Sequence, residues 1–227
     1  MKSGDAPSSG ASPARLTMHR RITLVIQAVL LVGLVLSLLQ GNWLNSVVIL
    51  GISLLTLLPV VTKKRFNVFI PPEFELVAIL FIFLTLFLGE VHGYYLRFPW
   101  WDKALHLGSG FLLGILGFLL VFVLNEDEDV DLHLSPVFVA AFAFAFAVAL
   151  GAVWEIFEFT MDSIFGLNMQ KSGLVDTMWD LIVDTVGAIS ISAFGYLFMR
   201  SDTGSFLERW IDGFIRANPG LFKKSGG

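Results

Sequence analysis

The feature that most constrains this chain is a set of carboxylates placed where lipid would be expected. Between Trp154 and Ala188, Glu155, Glu158 and Asp162 fall at i, i+3 and i+7, and Asp176, Asp180 and Asp184 fall at i, i+4 and i+8. On α-helices each triplet occupies one face. Both triplets lie inside or beside apolar runs of membrane-spanning length. A carboxylate at the centre of a spanning helix costs about 2.5–3.5 kcal/mol on insertion scales. A chain carrying that cost several times over must fold so that its acidic faces turn from lipid towards one another.

Composition agrees with a bilayer setting. The 227 residues are 56% hydrophobic and 15% charged, with mean hydropathy +0.77. A soluble domain is nearer half apolar and a quarter charged. The basic residues form no continuous patch, which argues against nucleic acid as a partner. Cysteine is absent, which excludes disulfides, thiolate metal sites and a cysteine nucleophile.

The expected fold is all-α: a polytopic bundle of six transmembrane helices with both termini cytoplasmic. Residues 1–18, rich in Ser, Gly, Ala and Pro, read as a disordered tail. Residues 19–200 read as the membrane domain, with spans near Ile22–Leu39, Trp43–Val61, Phe74–Val91, Lys103–Leu124, Pro136–Phe159 and Leu174–Met199. Each approaches the ~20 residues that a bilayer requires. The first apolar run is too long for a signal-peptide core, and no small-x-small cleavage site follows it. Residues 201–227 read as a cytoplasmic segment, in which Phe206, Leu207, Trp210, Ile211 and Phe214 share the apolar face of an amphipathic helix. Arg15, Arg20 and Arg21, then Lys63, Lys64 and Arg65, then Arg200, Arg209 and Arg216 alternate with the spans so as to share one side, the cytoplasmic one by the positive-inside rule. The acidic run Asn125–Asp131 falls on that side as a solvated linker. Small residues offer helix-packing seams at Gly110 and Gly114, at Ala141, Ala145 and Ala149, and at Ala143, Ala147 and Gly151.

This topology gathers the remaining polar residues at the opposite ends of spans three to six. Glu90 and His92 close the third span. Arg97, Trp100, Trp101, Asp102 and Lys103 lead into the fourth, with His106 at i+4 from Asp102. At 1.5 Å per residue, Asp184 lies roughly 12 Å deeper than Asp176. The result is an outward-opening polar funnel in which acids outnumber Arg97, Lys103 and Lys171. Such an excess calls for protonated acids or for bound cations. One histidine among carboxylates is a reasonable shell for Mg²⁺, Mn²⁺, Zn²⁺ or Fe. The candidate ligands are Asp102, His106, Glu155, Glu158, Asp180 and Asp184. Glu155, Glu158 and Asp180 are the candidate catalytic carboxylates, and Arg97, Lys103, Lys171 and Trp101 the candidate substrate contacts. Taken singly, each has a structural reading: a buried hydrogen-bonded histidine, a salt bridge, a helix-dipole aspartate.

The stretches PWWDKALHLGSGFLLG, WEIFEF and QKSGLVDTMWDLIVDTVGA resemble the YjdF-like family of bacterial inner-membrane proteins. More loosely, DK-x2-H followed by D-x3-D-x2-G is similar to VanZ-like proteins of the cell envelope. The likeness spans roughly Pro71–Tyr196. It implies a multi-pass bacterial inner-membrane protein and envelope-lipid chemistry.

Two classes of function, with a third beside them, fit these residues. A metal-dependent hydrolase or transferase would act on a lipid or lipid-linked phosphoester, with membrane lipid as its surroundings. An ion- or proton-coupled transporter would use Asp180 and Asp184 to carry the coupling ion, although no inverted repeat or Gly/Pro-broken helix pair accompanies them. A non-catalytic subunit would use the cluster to tie helices together. A homo-oligomer or a membrane-complex partner is compatible with all three.

Overall fold

The computed structural model describes residues 13–66, 72–125 and 134–200. All regular structure among them is helical: α1 (Pro13–Leu39), α2 (Trp43–Phe66), α3 (Pro72–Ile82), a π-helical stretch (Phe83–Val91), the short α4 (Tyr94–Arg97), α5 (Trp101–Asn125), α6 (Pro136–Phe165) and α7 (Leu174–Met199). Four of these helices, over Met18–Leu39, Trp101–Val121, Pro136–Phe165 and Leu174–Leu197, are long and apolar enough to cross a membrane, and Trp43–Leu58 is a shorter apolar stretch. The outward residues are apolar, as with Val153, Ile156 and Phe159 on α6 and Ile182, Val186 and Ile189 on α7. Their neighbours on the inward faces include acids. That inversion of the soluble pattern fits a chain embedded in lipid.

Four of the six expected spans coincide, with shifted ends, with helices long and apolar enough to cross a membrane; the second coincides with the shorter apolar stretch of α2. The first begins at Pro13, inside the stretch read as a tail, and α6 runs to Phe165, which makes Asp162 helical. The expected third span is α3 followed by π-helical turns, where His92 N donates to Phe87 O five residues back. The remainder of the tail, the linker after Asn125 and the amphipathic segment lie outside the described residues.

The chain divides into two compact units, one running to Tyr94 and one starting at Tyr95. In the first, Gly41 adopts φ 70° and turns α1 back along α2. Ser46 Oγ reaches Ser37 Oγ and Asn42 O beside that turn. Deeper, Gln27 Nε2 donates to Thr56 Oγ1 at 2.6 Å, so the Gln27 amide finds a partner across α1 and α2, as lipid surroundings require. Ile26, Leu30, Ile49, Ile52, Ile79 and Phe87 form the core.

The second unit is a three-helix assembly of α5, α6 and α7. Its helices approach to backbone distance where glycines permit. A Cβ on Gly110 would strike the Asp184 carbonyl, one on Gly187 the Leu107 carbonyl, and one on Gly117 would stand 2.8 Å from Ala143 Cα. The Gly110–Gly114 seam expected from sequence is therefore where α5 meets α7. Of the two expected seams on α6, only one is used: Val139, Ala143, Ala147, Gly151 and Glu155 are buried at four-residue steps. Ala141, Ala145 and Ala149 face outward, because the two stripes lie on different sides of one helix and a single helix pair covers only one.

Candidate functional site

The buried ionisable residues described in the second unit, His106, Glu155, Asp176, Asp180 and Asp184, collect towards one end of it. Successive helices run antiparallel, so the start of α5, the end of α6 and the start of α7 coincide. Local sequence sets each end. Trp101 N bonds to Phe98 O to open α5, and Asp102 in the first turn suits the positive end of the helix dipole. Gly166 ends α6 in the left-handed conformation, with its N–H on Asp162 O. Asp162 then ties down the following loop, accepting from Met169 N at 2.7 Å and Gln170 N at 2.9 Å. Gly173, with φ 64°, turns the chain into α7, and Asp176 in its first turn accepts from Lys171 N at 3.0 Å.

The centre of the site is His106. Its Nδ1 lies 3.1 Å from Asp184 Oδ2, and the other oxygen of Asp184 accepts from Ser109 Oγ at 2.7 Å. Its Nε2 faces Asp102 Oδ1 and Glu155 Oε1, each at 3.8 Å. Ligand atoms of Asp102, His106 and Asp180 fall within 4.8 Å of one another. Glu155 is 3% exposed, with Thr177 of α7 as its hydrogen-bonding neighbour, and Asp180, at 1% exposure, has Lys103 Nζ 3.2 Å from its Oδ1. Lys103 Nζ stands among three carboxylates: 2.6 Å from Asp176 Oδ1, 3.2 Å from Asp180 Oδ1 and 3.2 Å from Asp102 Oδ2.

The charges do not balance. Asp102, Glu155, Asp176, Asp180 and Asp184 confront one ammonium and one imidazole. Mutual repulsion between close carboxylates is severe where water is scarce, and burial of charged oxygens adds a desolvation penalty. A divalent cation beside His106 Nε2 would answer both. The donor set of one imidazole nitrogen and several carboxylate oxygens suits Mn²⁺, Zn²⁺, Fe or Mg²⁺.

The candidate residues thus divide. Asp102, His106 and Asp180 converge, and Glu155 Oε1 joins them 3.8 Å from His106 Nε2. Asp184, read from sequence as a ligand, has both oxygens committed to His106 Nδ1 and Ser109 Oγ, so that it orients the imidazole and offers no oxygen to the His106 Nε2 side. Glu158 lies one turn from Glu155 and accepts from Trp154 Nε1 at 3.0 Å. Lys103 is engaged with carboxylates. Lys171 Nζ donates to Asn168 O at 2.9 Å and sits over the Tyr95 ring. Arg97 is exposed at the end of α4, and Trp101 is half-buried at the start of α5. Glu90 and His92 belong to the first unit, and the cluster is built from the second alone. Ser109 was not singled out by sequence reasoning. Its position three residues beyond His106, on the same helix face, was the available signal.

Residues 18–201 match the family described as Predicted membrane protein (DUF2238). The chain belongs to that family, with which the YjdF-like resemblance is consistent. The VanZ-like similarity is not shown by any match. An uncharacterized protein of Thermotoga maritima is 29% identical over 152 residues, covering 66% of this chain and 74% of the relative. No solved structure matches.

Proposed function

We propose that this is a bacterial inner-membrane enzyme that uses one divalent metal ion to hydrolyse or transfer a phosphoester of a lipid or lipid-linked envelope substrate. The observation that carries the reading is His106 Nε2, which faces Asp102 Oδ1 and the buried Glu155 Oε1 at 3.8 Å each, with ligand atoms of Asp102, His106 and Asp180 within 4.8 Å of one another. Asp102, His106, Glu155 and Asp180 hold the ion. Bound there, it polarises a phosphoryl oxygen and acidifies a water molecule. Glu158, a turn nearer the end of α6, takes the proton of the attacking water or alcohol. Lys171 and Arg97, on segments that meet through Tyr95, receive the phosphate charge at the mouth. Six spans with both termini cytoplasmic put that mouth at the outer leaflet.

Purified protein reconstituted in vesicles of phosphatidic acid and a polyprenyl phosphate tests this. Release of inorganic phosphate or headgroup with Mn²⁺, abolished by EDTA and by Asp180→Asn, is the expected result. Equal turnover in EDTA would remove the metal from the reaction. Binding of Mn²⁺ without turnover on any phospholipid would reduce the site to a non-catalytic one.

A further inference from the structure

We propose that the Lys103 ammonium takes the place of a second divalent cation, so that the cluster holds one metal ion and not two. The inference rests on the metal reading above. The Lys103 ammonium donates to Asp102 Oδ2 and Asp176 Oδ1 and pairs by charge with Asp180 Oδ1, so three carboxylates surround it at 2.6–3.2 Å. Asp102 is shared: its Oδ2 faces Lys103 and its Oδ1 faces His106 Nε2. A carboxylate placed between two cationic positions in this way is the bridge of a two-metal centre, whose ions sit about 3.5–4 Å apart. Here one of the two positions is filled by a side chain. Asp176 fits the same account. One of its oxygens is fixed by Lys171 N and the other meets Lys103, and it makes no ion pair with His106 among the described residues. The place left for an ion is on the other side of Asp102, where the buried Glu155 and Asp102 each hold an oxygen 3.8 Å from His106 Nε2 and no ammonium stands among the described residues.

Truncating Lys103 to an apolar side chain leaves Asp102, Asp176 and Asp180 converging on a vacated position with one fewer positive charge. That position should then accept a second metal bridged to the first. An arginine would keep the charge and fill the space.

Mn²⁺ alone serves as the probe, titrated into the full chain in detergent, with bound metal counted and its paramagnetic spectrum recorded. The wild type should bind one equivalent with the six-line spectrum of an isolated ion. Lys103→Met should bind two, with the broadened spectrum of an exchange-coupled pair, and Lys103→Arg should bind one. A wild type with two equivalents or a coupled spectrum overturns the inference, as does a folded Lys103→Met protein that binds one or none. Should Lys103→Met fail to fold, the wild-type spectrum decides by itself: isolated supports, coupled overturns. A wild type that binds no Mn²⁺ overturns the metal reading itself. One equivalent in both proteins overturns this inference alone.

Discussion

Replacing Asp184 with asparagine changes one atom type at the best-defined point of the cluster. Asp184 is 2% exposed, and its two oxygens serve His106 Nδ1 at 3.1 Å and Ser109 Oγ at 2.7 Å. A carboxylate there accepts a hydrogen bond from Nδ1–H of the neutral imidazole, the tautomer that leaves the Nε2 lone pair to face Asp102 and Glu155. An amide must present one NH₂ group. Turned to His106, it demands the other tautomer, which points an N–H at the metal position; turned to Ser109, it keeps the imidazole bond but loses its charge. Hydrogen bonds to charged groups contribute about 1.5–3 kcal/mol, and loss of an outer carboxylate on a metal-binding histidine typically lowers affinity about 10–100-fold. The two figures agree, since tenfold is about 1.4 kcal/mol. Asp184→Asn should therefore bind Mn²⁺ 10–100-fold more weakly by calorimetry, with the same stoichiometry and a nearly unchanged melting temperature without metal. The reasoning is refuted if the variant binds as tightly as wild type, or if Asp184→Leu does so with equal or higher stability, because replacing buried ionic groups with apolar ones is often stabilising where they serve no ligand.

Other outcomes follow from the same geometry. Gly187→Ala should destabilise by about 1–3 kcal/mol or more in detergent melting, because its Cβ would meet the Leu107 carbonyl and stand 3.0 Å from Phe111 N; Ala145→Leu, on the outward face of α6, should melt within about 0.5 kcal/mol of wild type. Glu155→Leu should raise the melting temperature of metal-free protein, since it removes a buried carboxylate from a group of close acids, while lowering metal affinity; a lower metal-free melting temperature would speak against an uncompensated carboxylate there. In the cysteine-free chain, a cysteine at Leu167 should react with an impermeant maleimide added outside cells and one at Asp129 should not; the reverse pattern would invert the topology.

The convergence of the acids was legible in the sequence because helical periodicity and antiparallel connectivity suffice to bring Asp102, Glu155 and Asp180 to one end. The choice between the two alanine seams was less so, yet the buried one, Ala143–Ala147–Gly151, continues at the same four-residue step to Glu155, whereas the other leads to Val153. What the sequence could not supply was the division of labour. Asp162 and Asp184 look alike as acids on apolar helices, but Asp162 is consumed by the N–H groups of its own loop, a matter of chain path and not of periodicity. Likewise, the Lys103 side chain turns into the carboxylates while the Lys171 side chain turns away to Asn168 O and Tyr95. Long flexible side chains choose partners only once the surrounding backbone is fixed.

The central claim is that a metal ion sits at His106 Nε2 among Asp102, Glu155 and Asp180. X-ray absorption of protein purified from membranes without chelator, recorded at the edge of whichever metal elemental analysis finds, tests it directly. The account predicts a bound ion whose inner shell contains a single imidazole nitrogen and otherwise oxygen, with the imidazole signature lost in His106→Ala. Protein that carries no divalent metal, or an ion whose shell is all oxygen and indifferent to His106→Ala, would contradict it.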